Sequence, residues 1–195
     1  MLICDVGHIY KMKTIELYHL EKYLFETVSP RFEEDKKLSA FDFFCIIIWK
    51  ANRAKSKVAK RLIERDPQKR KDLDAIIRDF TSCLYKADDS EERLKLLMVV
   101  WGFRLPMASA ILTVLWPEDF TVYDIRVCES LKAHHKLGNK VKFEKIWEGY
   151  KHFKHDVEKN TPSELSLRDK DRYLWGQSFQ DQLTNDIKQI FPKKK

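Results

Sequence analysis

Asp124 stands where an extended segment meets a helix, in the run F-T-V-Y-D-I-R-V from Phe120 to Val127. An aspartate in that place has two uses. Its carboxylate can accept N–H groups at the open end of the helix that follows, a task for which Asp is a favoured residue. Held rigidly by that bond, it can also stabilise positive charge or take a proton from water. A second feature is basic. Lys50, Arg53, Lys55, Lys57, Lys60 and Arg61 follow Trp49 with no acid between Lys50 and Arg61. Such a run is either a solvated helix face or the footprint of a polyanion. The remaining reactive side chains offer less. Cys4, Cys45, Cys83 and Cys128 are scattered, with no C-x-x-C pair, and Cys45 and Cys128 fall in apolar helical patterns that suit buried thiols. His152 and His155 are three apart on a helix, but no cysteine or carboxylate completes a ligand set. No metal and no cofactor are expected.

The elements that must position these groups read as helices throughout. The chain has 195 residues, 44% apolar and 12% aromatic, enough for a core in one domain or two small lobes. The net charge is +7 and the pI about 9.1, a balance that permits a polyanionic partner. Asp5 and Gly7 interrupt the N-terminus too early for a signal peptide. The longest apolar run, Phe43 to Trp49, is far too short to span a bilayer. A soluble cytoplasmic protein with no membrane partner is expected.

Thr14 can cap a helix with Leu17, Leu20, Leu24 and Val28 on one face, ended by Pro30. Ser39 and Asp42 resemble a capping box for a helix that is hydrophobic all round from Phe41 to Trp49. A short basic helix, Val58 to Glu64, stops at Asp66-Pro67. Lys69 to Lys86 carries Leu73, Ile76, Ile77, Phe80 and Leu84 at helical spacing. After Asp124 a helix is expected to Lys136. Another runs from Lys140 to Val157 with Phe143, Ile146, Trp147, Tyr150 and Phe153 on one face. Thr161 to Glu164 reads as a capping box with Pro162 at the first turn. Asp169 to Phe191 should pack Leu174, Trp175, Phe179, Leu183 and Ile187, and Lys193 to Lys195 should fray. The expected fold class is all-α.

The centre of the chain is Glu91 to Leu131. Asp88, Asp89 and Ser90 can cap a helix whose face is Leu94, Leu97, Met98 and Trp101. Gly102 ends it, since a left-handed residue there costs glycine nothing. Pro106 suits the first turn of the next helix, which runs to Trp116 and stops at Pro117. That helix opens on Ala108, Ser109 and Ala110, whose small side chains let another backbone come close. Over Leu94 to Leu131 the chain resembles the helix-hairpin-helix glycosylase superfamily of base-excision DNA repair. Members carry an L-P-G-V-G hairpin, an apolar helix, and an extended V-D-x-x-V ending in the catalytic aspartate. Gly102, Ala108 and the pair Asp124 and Val127 stand in the matching places. The hairpin departs by reading G-F-R, and the position that is Lys in the lyase-competent members is Pro106.

The resemblance implies a two-lobed helical fold, with residues 39–122 as the hairpin-bearing lobe and residues 1–38 plus 123–195 as the other. Asp124 would face the cleft between them. It implies a DNA N-glycosylase acting on double-stranded DNA, nucleoid-associated when bound, and expected as a monomer. Asp124 would stabilise the oxocarbenium character of the sugar and orient or deprotonate the attacking water. Without a lysine at Pro106 the enzyme would be monofunctional, leaving an abasic site, with Lys50 the conceivable substitute amine. Gly102, Phe103 and Arg104 would hold a strand by its phosphates. Lys50, Arg53, Lys55 and Lys57 would add a second DNA contact. A flipped base needs aromatic walls, for which Trp49, Tyr123 and Trp175 are the candidates. Two other readings stay open: a non-catalytic hairpin protein that only binds DNA, and a helical interaction protein whose basic faces are solubilising. Nothing in the residues names the base.

Overall fold

The computed structural model describes residues 14–190. Cys4, Phe191 and Lys193 to Lys195 lie outside the described residues. Within them every regular element is helical, and no helix is long and apolar enough to cross a membrane. The chain divides into two compact units, one up to Ala87 and one from Asp88.

In the first unit, short helical turns precede α1 (Leu20–Tyr23), a π-wound turn Leu24–Val28 and α2 (Ser29–Asp35). Pro30 does not end the helix, as the sequence suggested. It sits in the first turn of α2, after the π turn. A wider turn relieves the clash between a proline ring and the carbonyl four residues back. Leu24, Val28 and Phe32 then form one buried stripe.

Helix α3 (Ala40–Ala51) begins at Ser39, whose Oγ accepts the Asp42 N–H at 3.1 Å. The Asp42 carboxylate turns inward instead of completing a box. It accepts from Tyr23 Oη at 2.7 Å, Arg31 Nη1 at 2.9 Å and Ser39 Oγ at 3.0 Å. Burial and this carboxylate push the Tyr23 phenol up to about 12, so it remains a donor. The helix is not buried all round: Phe43, Ile46 and Ile47 are enclosed, whereas Phe41 and Ile48 reach solvent. Helix α4 (Lys55–Arg65) ends at Asp66, which is buried and bonded to Arg70. Helix α5 (Leu73–Lys86) starts four residues later than the pattern implied, because Asp72 accepts the Asp74 and Ala75 N–H groups.

The second unit opens with α6 (Ser90–Lys95). Asp89 Oδ1 accepts the Glu92 N–H at 2.8 Å, and Glu92 returns a bond to the Asp88 N–H at 2.9 Å. Leu96–Val100 winds as a π turn. Then follow α7 (Leu105–Leu115), α8 (Ile125–Leu131), α9 (Phe143–Lys159) and α10 (Leu167–Asn185).

Three boundaries differ from expectation here. Helix α8 stops at Leu131, five residues early, with Lys132 and His134 both at positive φ. Helix α10 is capped by Ser166, whose Oγ accepts the Asp169 N–H at 3.1 Å. Thr161 instead closes α9, donating to the Val157 carbonyl at 2.7 Å. The face of α10 also differs. Leu174 is buried, but Trp175, Phe179, Leu183 and Ile187 are all exposed by two fifths or more.

Candidate functional site

The Asp124 segment has no strand beside it among the described residues, so side chains must satisfy its backbone. Tyr150 Oη donates to the Thr121 carbonyl at 2.7 Å and accepts the Thr121 N–H at 3.0 Å. The buried Asp171 carboxylate accepts the Val122 N–H at 3.0 Å and Thr121 Oγ1 at 3.2 Å, and is paired with Arg168. Ser109 Oγ accepts the Tyr123 N–H at 2.9 Å. This last bond explains the small residues at the start of α7. Ala108, Ser109 and Ala110 are fully buried, which lets the segment lie close enough to bond. Thr121 to Tyr123 are thus held at three successive N–H groups.

Asp124 is the N-cap of α8. Its Oδ1 accepts the Arg126 N–H at 3.0 Å, and its backbone is extended at φ −133° and ψ 147°. Tyr123, the neighbouring candidate for the base pocket, is only 5% exposed. Its hydroxyl donates to the His134 carbonyl at 2.8 Å and accepts the Gly138 N–H at 3.2 Å. Its ring meets Phe153 edge-on at 5.2 Å. Those contacts make Tyr123 a brace and leave little of its ring for a base.

Trp175 is exposed, at 43%. It stacks on Phe179 with centroids 5.7 Å apart and planes 9° apart. The Arg126 guanidinium lies 5.2 Å from the Trp175 ring and 5.6 Å from the Phe179 ring. Arg126 Nη1 is enclosed without a hydrogen-bond partner. Two bonds fix α8 against α10 and so fix this cluster. Ser130 Oγ donates to the Leu174 carbonyl at 2.7 Å, and Ser178 Oγ to Glu129 Oε2 at 2.8 Å.

The turn before α7 is tight. Gly102 has φ 71°, and the Phe103 N–H reaches back to the Leu97 carbonyl at 2.9 Å. The expected phosphate contact through Phe103 therefore loses this N–H, and its side chain is buried at 2% exposure. Arg104 is exposed, and its carbonyl accepts the Met107 and Ala108 N–H groups as the N-cap of α7. The first N–H groups of α7 then point into the turn, as at any helix start. Through Ser109, α7 ties this turn to the Asp124 segment.

The other predicted residues lie in the first unit. Trp49 and Lys50 are half-buried at the end of α3, with Trp49 edge-on to Phe25 at 5.9 Å. Arg53, Lys55 and Lys57 are exposed on the turn Asn52–Ala54 and on α4. Reading the sequence missed Arg126, Phe179, Ser109, Tyr150 and Asp171. Asp171 carried a signal, since it lies in the buried register of α10 with Leu167, Leu174 and Ser178. A charge on a buried stripe needs partners and is worth tracing. The two buried thiols are not reactive candidates: burial pushes Cys128 and Cys45 up to about 11.

No family model, curated protein or solved structure matches the chain.

Proposed function

We propose that the protein is a monofunctional DNA N-glycosylase that excises a modified or damaged base from duplex DNA. The observation that carries this reading is the setting of Asp124. A carboxylate is held at a helix cap by a segment pinned at three N–H groups, and Arg126 of the helix it caps lies over an exposed aromatic pair of α10. In the reaction the C1′–N bond breaks, and its electron pair leaves with the base, which gains a proton. Water adds to C1′ and loses a proton. Positive charge on the sugar peaks between these events, and the Asp124 carboxylate stabilises it there and orients the water. Trp175 and Phe179 supply a face on which an extruded base can stack. Arg126 Nη1 needs an acceptor, since a buried donor left unpaired costs about 1–3 kcal/mol. A phosphate or base carbonyl would meet that need. The turn at Gly102 to Arg104 and the basic residues Lys50, Arg53, Lys55 and Lys57 supply charge for the DNA backbone.

The second reading is a hairpin protein that binds DNA without catalysis. The bond from the Arg126 N–H to Asp124 favours it, because capping alone accounts for an aspartate there. Incubation with a panel of modified duplexes, followed by hot alkali to reveal abasic sites, separates the two. Strand breaks only after alkali, with no borohydride-trapped adduct, are expected. Breaks without alkali together with a trapped adduct would replace the monofunctional mechanism by an amine one. An intact panel would remove the glycosylase reading.

A further inference from the structure

Between Glu129 and Glu144 the chain carries Lys132, His134, His135, Lys136, Lys140 and Lys142 with no acid. The expected helix through this stretch is absent, and a loop takes its place. Lys132 ends α8 in a left-handed conformation, a second left-handed residue follows at His134, and Leu137–Asn139 makes one 3₁₀ turn. Strain of this kind persists only where surrounding structure holds it. The Tyr123 hydroxyl does so, bridging the His134 carbonyl and the Gly138 N–H. One residue from Asp124, the chain therefore braces a basic loop.

The loop presents its cations outward. Lys132, His135, Lys136, Lys140 and Lys142 are all exposed. No carboxylate pairs with any of the four lysines among the described residues. Of the nearby acids, Asp156 pairs with His134 of the loop itself at 2.7 Å, and Glu148 pairs with Lys151 at 2.8 Å and His152 at 3.5 Å. Two hollows flank the loop. One, of about 450 Å³, is lined by His135, Lys136, Lys140 and His152. The other, of about 480 Å³, is lined by Lys140 together with Phe103 and Arg104 of the turn before α7. Lys140 belongs to both. Arg104, Lys140 and Lys136 therefore mark a track along the two hollows.

We propose that this track is a DNA backbone site, with Lys136 and Lys140 each neutralising a phosphate of the strand that the Gly102–Arg104 turn engages. A braced loop with exposed lysines that no carboxylate neutralises, Lys140 donating only to the Lys145 carbonyl at 3.4 Å, suits sequence-independent phosphate contacts, which position DNA without reading it. The inference rests on the proposed function in one respect, that the polyanion is DNA.

The test measures duplex affinity against salt for the full chain, using a labelled unmodified duplex. Lys136→Gln/Lys140→Gln should weaken binding and flatten the slope of log affinity against log salt by about 1.8, the loss of two phosphate contacts. Lys159→Gln/Lys188→Gln removes the same charge from exposed sites outside the loop and should leave the slope as in the wild type. Equal flattening by both pairs, or flattening by neither, would overturn the track. So would loss of binding to phosphatidylserine vesicles in the loop variant with an unchanged DNA slope. Single-turnover excision on the modified panel is read in parallel. A reduced slope without excision by any protein would end the glycosylase reading and leave the track standing. Excision with an unchanged slope would end the track alone.

Discussion

At the scale of a residue, the question is whether Asp124 does more than cap. Asparagine caps a helix about as well as aspartate, whereas alanine costs about 1 kcal/mol. The bond from the Arg126 N–H at 3.0 Å is one that an Asn oxygen can also accept. Asp124→Asn should therefore melt close to the wild type and bind DNA, yet lose base excision by on the order of 10²-fold or more. Asp124→Ala should lose excision and stability together. Thermal melting and single-turnover excision on the three proteins decide the matter, and an active Asn variant would return Asp124 to a purely structural role. Asp171 acts on Asp124 through the chain, since it bonds the Val122 N–H two residues away. On the glycosylase reading it would be a positioning residue.

At the scale of an element, α10 has two faces with different work. Leu174 is buried beneath α8, and its carbonyl receives Ser130 Oγ. Leu174→Ala should cost about 2–5 kcal/mol, as core truncations do. Trp175, the next residue, is 43% exposed and stacks on Phe179 under Arg126. Trp175→Ala loses an aromatic pair and should cost only about 0.5–1.5 kcal/mol. Its larger effect should fall on excision, with DNA affinity for an unmodified duplex near that of the wild type. Denaturant unfolding and excision assays on both variants check the split. Equal losses of stability in the two variants, with excision by Trp175→Ala unimpaired, would make Trp175 a packing residue and remove it from the base site.

At the scale of the molecule, the charge of +7 is unevenly spread along the chain. Arg53, Lys55 and Lys57 are exposed in the first unit, as are the loop lysines in the second. If about four phosphates are neutralised, log affinity should fall against log salt with slope about −3.6. Lys55→Gln/Lys57→Gln should flatten it by about 1.8. A wild-type affinity insensitive to salt would exclude DNA as the partner. The amino-acid sequence by itself determined the helical class, the Gly102 turn, the Asp89 cap and the Asp124 cap, because each follows from local periodicity or from a side chain reaching its own backbone. It misplaced Pro30, the end of α8 and the packing of α10, where distant partners outweigh local preference. A π turn accommodates Pro30, Tyr123 holds the loop that breaks the expected helix, and the packing of α8 on α10 encloses Leu174 but leaves Trp175 and Phe179 more than two fifths exposed. Arg126 beside Trp175 and Phe179, and Asp171 beneath Val122, arise from contacts across about fifty residues of chain, closed only by the packing of α8 and the Asp124 segment on α10. No spacing within a single helix encodes such contacts.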